Sequence, residues 1–303
     1  MSFLTIFTSP KPFIDPHVVT IQRNAIRSWT ELGDQVEVKM IGDEEGMAEI
    51  CKEFNIRHIP EVKTNEKGTP YINSIFDQAR SNSDSPYLAY VNADIILLPN
   101  FLTSTKNVAR QYEKFLLVGQ RWDMDITQEL DFNLGWQDRL EADRLENSKI
   151  YPPNGSDYFI YSRSILKNIP QFTVGRAGWD NWMIYHGAKA KWPAIDATND
   201  IHVIHQNHDY HHLPEGKPHY RNPETFVNVD LAGGRRNMFL LIDTNKILVD
   251  GKVRSPGSFI SRSLRFFERM FTTNDPDNDK YIEAIRKRIN VFRINIENKK
   301  ARI

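Results

Sequence analysis

The sequence predicts an α/β protein: a mostly parallel central sheet flanked by helices, followed by a C-terminal amphipathic helical extension. Three observations lead there. Short β-rich apolar runs alternate with stretches of helical periodicity through residues 1–118, the order that builds parallel strands with covering helices. The chain has 303 residues, 40% hydrophobic and 11% aromatic, enough to cover both faces of such a sheet without staples. The C-terminal segment then changes character, with apolar residues at helical spacing among many basic ones.

The elements follow in order. Residues 3–8 are apolar and β-rich, a first strand. Residues 17–32 place Val18, Ile21, Ala25, Ile26 and Trp29 on one helical face. Residues 36–41 form a second strand. A short helix near 45–54 carries the stripe Met47, Ile50, Cys51 and Phe54, which makes Cys51 a buried structural thiol. Residues 72–80 are helical, 87–91 a strand, 100–112 a helix and 115–118 a strand. Residues 119–234 are less regular, rich in tryptophan, with a strand expected at 201–204.

The tail holds two helices. The first, at 259–271, sets Ile260, Leu264, Phe267 and Phe271 against Arg262, Arg265, Glu268 and Arg269. After a polar break, Ile282, Ile285, Ile289, Phe292 and Ile296 recur at helical spacing. Three readings fit these stripes: docking onto the protein's own core, a dimer seam, or a helix lying on a membrane surface.

Charge and cysteine content narrow the function classes. Lys plus Arg and Asp plus Glu both number 39, which argues against a dedicated nucleic-acid binder. From residue 252 onward, 13 basic residues face 6 acidic ones. One cysteine excludes an intramolecular disulfide and favours a reducing compartment. The N-terminus lacks a charged n-region and a long apolar run, so it does not read as a signal peptide. No stretch approaches the ~20 apolar residues of a membrane span.

In parallel sheets, ligands bind beyond the carboxyl ends of the strands. The segments there are Thr8-Ser9-Pro10-Lys11, Gly42-Asp43-Glu44-Glu45 and Asn92-Ala93-Asp94. Asp94 closes an apolar strand, and a carboxylate so placed binds Mg²⁺ or Mn²⁺ or caps a turn. His202, His205, His208, His211 and His212 cluster downstream without the spacing of a zinc motif. They are either metal ligands or a surface histidine loop. Gly178-Trp179-Asp180-Asn181-Trp182 puts Asp180 at a helix start, as a cap or as a general base beside sugar-stacking indoles. Gly155-Ser156-Asp157-Tyr158 is a turn or a binder of sugar hydroxyls. No Walker motif, G-x-G-x-x-G or G-x-S-x-G is present.

Taken in this order, the segments resemble a GT-A-type glycosyltransferase. Asn92-Ala93-Asp94 is similar to a variant D-x-D motif, with Asn92 replacing its first acid. Gly178-Trp179-Asp180 is similar to the acidic acceptor motif of inverting members, with one acid where relatives often have two. His205 or His208 follows where such enzymes place the last metal ligand. Longer strings, among them those starting at Ile21, Tyr90, Val118 and His205, resemble a family of microbial and plant proteins described as glycosyltransferases. The resemblance covers residues 3–234, and the basic tail lies outside it.

The resemblance implies a Rossmann-like GT-A fold. It divides the chain into a nucleotide-sugar-binding half (1–118), an acceptor-binding and catalytic half (119–250) and a basic tail (251–303). It implies a nucleotide-sugar donor, UDP-linked by preference, held by Thr8, Ser9, Asp43, Thr69, Asn92 and Asp94. Mn²⁺ or Mg²⁺ is expected on Asp94 with His205 or His208. Gln120, Arg121, Trp122, Asp123, Ser156, Asp157 and Trp179 are expected on the sugar or acceptor side, and Asp180 as the base. The acceptor would be a glycan or glycolipid hydroxyl, in glycan or surface-polysaccharide synthesis. The expected location is cytoplasmic, with the tail as a peripheral membrane contact or homodimer seam. The alternatives are a non-catalytic carbohydrate- or nucleotide-sugar-binding protein, a sugar nucleotidyltransferase, or a metal hydrolase built on the histidines.

Overall fold

The structure, a computed structural model, describes residues 1–208 and 222–300, with side chains through residue 297. The first half runs β1 (Leu4–Thr8), α1 (Pro16–Thr30), β2 (Val36–Ile41), α2 (Met47–Glu53), β3 (Arg57–Ile59), α3 (Ile72–Ser81), β4 (Tyr87–Val91), β5 (Ile95–Leu97), α4 (Asn100–Ala109) and β6 (Leu116–Val118). Then come β7 (Arg121–Met124), α5 (Trp136–Asn147), β8 (Lys149–Ile150), β9 (Tyr158–Ser162), α6 (Trp179–Lys189), β10 (Ala194–Asp196) and β11 (Val203–Gln206). After the described residues resume, α7 (Pro223–Leu231), β12 (Lys246–Val249), β13 (Lys252–Arg254), α8 (Phe259–Met270) and α9 (Lys280–Lys300) complete the chain.

The main sheet has the order β13-β12-β10-β6-β9-β4-β1-β2-β3. It is mostly parallel, with β9 antiparallel to both β4 and β6, and β13 antiparallel to β12. The sheet thus runs across residue 118 and takes in Lys252–Arg254. Strand alternation sorts its side chains. Leu4, Ile6, Ala89, Val91, Leu117 and Ile160 meet α1, α2 and α4 on one face. Phe7, Leu88, Tyr90, Leu116, Phe159 and Tyr161 meet α3 and α6 on the other. Both faces are covered, so β1 and β9 are buried at every position, as a central strand of such a sheet must be.

A second, four-stranded sheet, β5-β11-β7-β8, continues off the carboxyl edge. Here β11 runs antiparallel to β5 and parallel to β7. Helix α1 ties the two sheets together. Asp15 caps it, accepting from the N–H groups of His17 and Val18, and Pro16 occupies its first turn. Trp29 is fully buried, and its indole N–H donates to the Ile95 carbonyl at 2.8 Å.

Several sequence expectations shift. The strand expected at 201–204 begins later, because Ile201 still closes a turn onto the Ala197 carbonyl. The helix at 100–112 ends at Ala109. Cys51 is buried as expected, and burial pushes its thiol up to about 11.

The larger correction concerns the tail. Core docking through the apolar stripe of α8 is not what the structure shows. Ser261, Arg265 and Glu268 are the buried residues of that helix, while of the stripe Ile260 and Phe267 are exposed and Leu264 and Phe271 half-buried. The reason lies in residues 238–244, which offer carbonyls and the Asp243 carboxylate. Arg262 donates to the carbonyls of Ile242 and Thr244 at 2.9 and 2.7 Å. Arg265 bonds Asp243 at 3.0 Å and the Met238 carbonyl at 3.1 Å. An apolar face set there would strand these acceptors, which costs more than exposing a stripe of side chains.

Trp29→Ala is expected to lower stability by about 3–5 kcal/mol through the cavity it leaves. Trp29→Phe keeps much of the packing but leaves the Ile95 carbonyl bare, costing about 1–3 kcal/mol. Urea denaturation midpoints of the three proteins check the order.

Candidate active site

Register, not proximity in sequence, assembles the site. Val91 pairs with Tyr158, so the end of β4 lies beside Asp157 at the start of β9. The turn from Asn92 to Asp94 is pinned there: Asn92 N–H donates to the Asp157 carbonyl at 2.9 Å, and its side-chain amide to Asp157 Oδ1 at 2.8 Å. In the second sheet His205 pairs with Ile95 on one side and with Asp123 on the other. That places His205 between Asp94 and Asp123.

The result is a chain of alternating charge. His208 Nε2 lies 3.1 Å from Asp94 Oδ2, and His205 Nε2 lies 3.7 Å from the same oxygen. His205 Nδ1 lies 3.0 Å from Asp123 Oδ1. Arg121 Nε donates to Asp123 Oδ1 at 2.9 Å. Its Nη1 reaches both Asp157 oxygens at 3.0 and 3.1 Å, and its guanidinium lies 4.1 Å from the Tyr151 ring centre.

Burial alone would push the Asp94 carboxyl up. Hydrogen bonding from His208 and the charges of His205, His208 and Arg121 outweigh it, holding the group well below the usual range. Burial likewise opposes protonation of His205, but Asp123 and Asp94 raise it overall. Arg121 is held cationic by Asp157 and Asp123 against its own burial.

Asp94, His205 and His208 each offer a ligand atom, all within 4.8 Å of one another. Asp94 Oδ1 is buried without a hydrogen-bond partner in the protein. An orphaned carboxylate oxygen beside two imidazole nitrogens fits a divalent cation of the Mn²⁺ or Mg²⁺ kind. The Asp123 carboxylate stands 3.0 Å from His205 Nδ1, on the side away from Asp94, though Nδ1 makes no hydrogen bond of good geometry there, and Nε2 is left toward the site.

Asp180 stands at the opening of α6. Gly178 turns the chain with φ of +109°, a conformation favouring glycine, and donates its N–H to Asp180 Oδ1 at 3.3 Å. A helix N-terminus by itself favours the ionised carboxylate. Instead burial, with Asp157 nearby, pushes it up to about 6, against the bonds from Asn181 and Gly178.

The structure brings Asn92, Asp94, Arg121, Asp123, Asp157, His205 and His208 into one network, with Asp180 close enough for Asp157 to act on it. Ser156 is buried beside Asp157. Thr8, at the end of β1, is buried with its hydroxyl unpartnered, and Ser9 follows it. Asp43 is exposed past β2. Gln120 is taken up by scaffold bonds to Thr198 and to the Tyr151 carbonyl.

Three residues sit elsewhere. Thr69 closes a turn with Asn65, whose side chain reaches Glu224 of α7 at 3.1 Å. Trp122 points to the opposite face of β7 from Arg121 and Asp123, under the Arg144 guanidinium at 4.4 Å. Trp179 is a core residue, packed against Tyr90 and Phe159 at 5.2 and 5.3 Å. It is walled in by the sheet rather than open to a sugar. His211 and His212 lie outside the described residues.

Sequence reasoning missed the polar core beneath the Asn92–Asp94 turn. Gln206 donates to the carbonyls of Asp94 and Ile21 at 3.1 and 2.7 Å, and accepts from Asn24 at 2.9 Å. These buried amides lie on expected elements but carry no motif. Lys11 was visible in the segment after β1. Crowding in the cleft lowers its ammonium, against the pull of Asp94 and Asp15.

No family model matches the chain, and no curated protein matches it. Solved structures are similar in chain path. Glucosyl-3-phosphoglycerate synthase from Mycobacterium tuberculosis is 16% identical with a TM-score of 0.49, over 77% of this chain and 81% of that one. Its complex with Mn²⁺, uridine diphosphate and glucosyl-3-phosphoglycerate is 14% identical with a TM-score of 0.49, over 86% and 88%. S. aureus TarS is 12% identical with a TM-score of 0.40, over 69% and 59%.

The raised Asp180 carboxyl has a stability consequence. Below about pH 4 both folded and unfolded states hold the proton, and folding loses nothing. As pH rises toward about 6 the unfolded state releases it first, so the folded state is penalised, fully so above that value. Asp180→Asn keeps the acceptor oxygen without the charge. Its stability relative to wild type is therefore expected to rise between about pH 4 and 6 and then level off. Paired urea denaturation curves across that range check it. A wild-type advantage that grows with pH would show the ionised carboxylate to be a stabilising cap.

Proposed function

We propose that the protein is a metal-dependent glycosyltransferase that moves a sugar from a nucleotide-sugar, UDP-linked by preference, to a hydroxyl of a glycan or glycolipid, with inversion. The observation that carries this reading is the Asp94–His205–His208 cluster, with its bare Asp94 oxygen, set beyond the carboxyl ends of the parallel strands. Strand ends are where this architecture binds ligands. Oxygen and imidazole ligands suit a hard or borderline ion shared with a diphosphate.

Each residue then has a task. Asp94, His205 and His208 would hold the cation, which when bound supplies charge neutralisation for a leaving diphosphate. Asp123, 3.0 Å from its Nδ1, would steady a protonated His205 by charge. Arg121 locks Asp123 and Asp157 together, so that the two walls of the cleft keep their spacing. Thr8, Ser9 and Asp43 line the route from β1 and β2 by which the nucleotide would approach, and Lys11 adds a positive charge near Asp94.

Asp180 takes the proton from the incoming hydroxyl. A carboxyl raised to about 6 is a stronger base than an ordinary one and is still mostly ionised at neutral pH. A sugar hydroxyl is far less acidic, so the proton moves late, once the bond to the anomeric carbon has begun to form. The transfer shares its oxocarbenium-like character with glycoside hydrolysis.

Calorimetry with uridine diphosphate in Mn²⁺ and in EDTA tests the donor site. Binding is expected with Mn²⁺, and Asp94→Ala should abolish the metal-dependent part. Equal affinity in EDTA would overturn the metal assignment. With donor and acceptor supplied, Asp180→Asn should keep nucleotide binding and lose roughly 10²–10⁴ in kcat. The wild-type kcat/KM should fall below about pH 6, where Asp180 takes up its proton. A protein that binds the nucleotide-sugar yet neither transfers nor hydrolyses it would be a binding protein instead.

A further inference from the structure

The C-terminal helices are packed inside out. Arg265 and Glu268, at 6% and 2% exposure, lie at the inner face of α8 and bond each other at 2.8 Å. Helix α9 brings Arg293 and Arg286 to the same glutamate at 3.2 and 3.4 Å, and Arg293 also grips Glu297. Glu283 pairs with Arg286 at 2.6 Å. The seam between the two helices is therefore ionic. Their apolar residues point away from it: Phe259, Phe266 and Met270 are 85%, 53% and 55% exposed, and Tyr281, Ile285 and Phe292 of α9 are exposed as well.

Helical spacing gathers the named side chains into one arc on each helix, and on α9 Ile282, Val291 and Ile294 are exposed to either side of it. Single exposed apolar residues are ordinary, but arcs of this kind on adjacent helices mark a surface that meets something. The charge left over says what. Every acid of α8 and of the described part of α9, namely Glu268, Glu283 and Glu297, is spent on an arginine inside the hairpin. Lys280, Lys287 and Arg288 are exposed; helical spacing sets Arg288 beside the arc of Tyr281, Ile285 and Phe292, and Lys280 and Lys287 further round the same helix. A second copy would set these cations against their own images, with no exposed carboxylate on either helix and only Asp275 and Asp277 of the connecting turn exposed to pair them. An anionic lipid surface neutralises all of them at once and takes the aromatic and aliphatic side chains into its interfacial layer. Among the described residues no helix is long and apolar enough to cross a membrane, so contact is from one side.

We propose that α8 and α9 form an interfacial anchor, whose apolar arcs and basic rim dock the protein on an anionic lipid bilayer. The ionic seam is what makes this possible, because it holds the hairpin on the body through polar groups and leaves the apolar side chains free. The inference stands apart from the chemistry of the cleft.

Flotation of the full-length protein with vesicles tests it. The protein should bind phosphatidylcholine vesicles carrying about one-third phosphatidylglycerol, bind pure phosphatidylcholine more weakly, and release with salt. The triple variant Phe259→Ser, Phe266→Ser, Met270→Ser should lose flotation while keeping its thermal midpoint and Mn²⁺ affinity, since those side chains already face water. The variant Lys280→Gln, Lys287→Gln, Arg288→Gln should lose about fivefold in partition per charge on the mixed vesicles. No binding to mixed vesicles overturns the proposal. So does a salt-independent affinity equal for both lipids, or a dimer in sedimentation that the Phe/Met variant dissolves.

Discussion

Arg121 is the constraint on which the cleft depends. Four carboxylates, Asp94, Asp123, Asp157 and Asp180, converge on the strand ends, and left alone they would repel one another and favour protonation. The guanidinium between Asp123 and Asp157 turns that repulsion into a bonded chain. Its planar fork suits the task, since one cation meets one carboxylate at Nε and both oxygens of another at Nη1. Strand β7 aims it there, and Gly119 just before permits the approach: a Cβ at that position would fall 2.3 Å from the Tyr158 hydroxyl and 3.2 Å from the Thr198 nitrogen.

The mixed topology explains why so many acids meet. With β9 antiparallel between two parallel groups, its first residues lie at the same edge as the last residues of β4 and β6. A loop entering β9 thus delivers Asp157 to the place where β4 delivers Asp94. The second sheet adds β7 and β11 from a different direction. Buried amides of Gln206 and Asn24 then brace the Asp94 turn against α1. Such a network is costly unless every member is satisfied, and here carbonyls of Ile21, Asp94 and Gln128 complete it.

The tail applies the same physics to a different end. Burying Arg265, Glu268 and Arg293 carries a desolvation cost that an apolar seam would avoid. What the ionic seam provides is orientation, fixing which face of each helix looks outward. Asp243 acts as the receptor on the body of the protein, bonding Arg265 at 3.0 Å.

Much was legible in the sequence by itself. Hydrophobic periodicity located the strands β1, β2, β4 and β6 and the helices α1–α4, because burial on both sheet faces demands apolar runs of the right length, but it missed short strands such as β3, β5, β7 and β10. Asp94 and the histidines were visible because carboxylates and imidazoles stand out at strand ends, and Asp180 because a glycine before an acid marks a helix start. The limits are equally physical. Periodicity gives a helix an apolar face without saying that the face is inward, and in α8 the hydrogen-bonding needs of residues 238–244 overrode it. Composition does not separate a tryptophan that stacks on a ligand from one that fills a core, so only packing assigned Trp179 to Tyr90 and Phe159. Above all, the pairing of His205 with Asp123 and Ile95 is a matter of register across strands distant in the chain. Local sequence carries no record of that register, and the tertiary structure alone decided it.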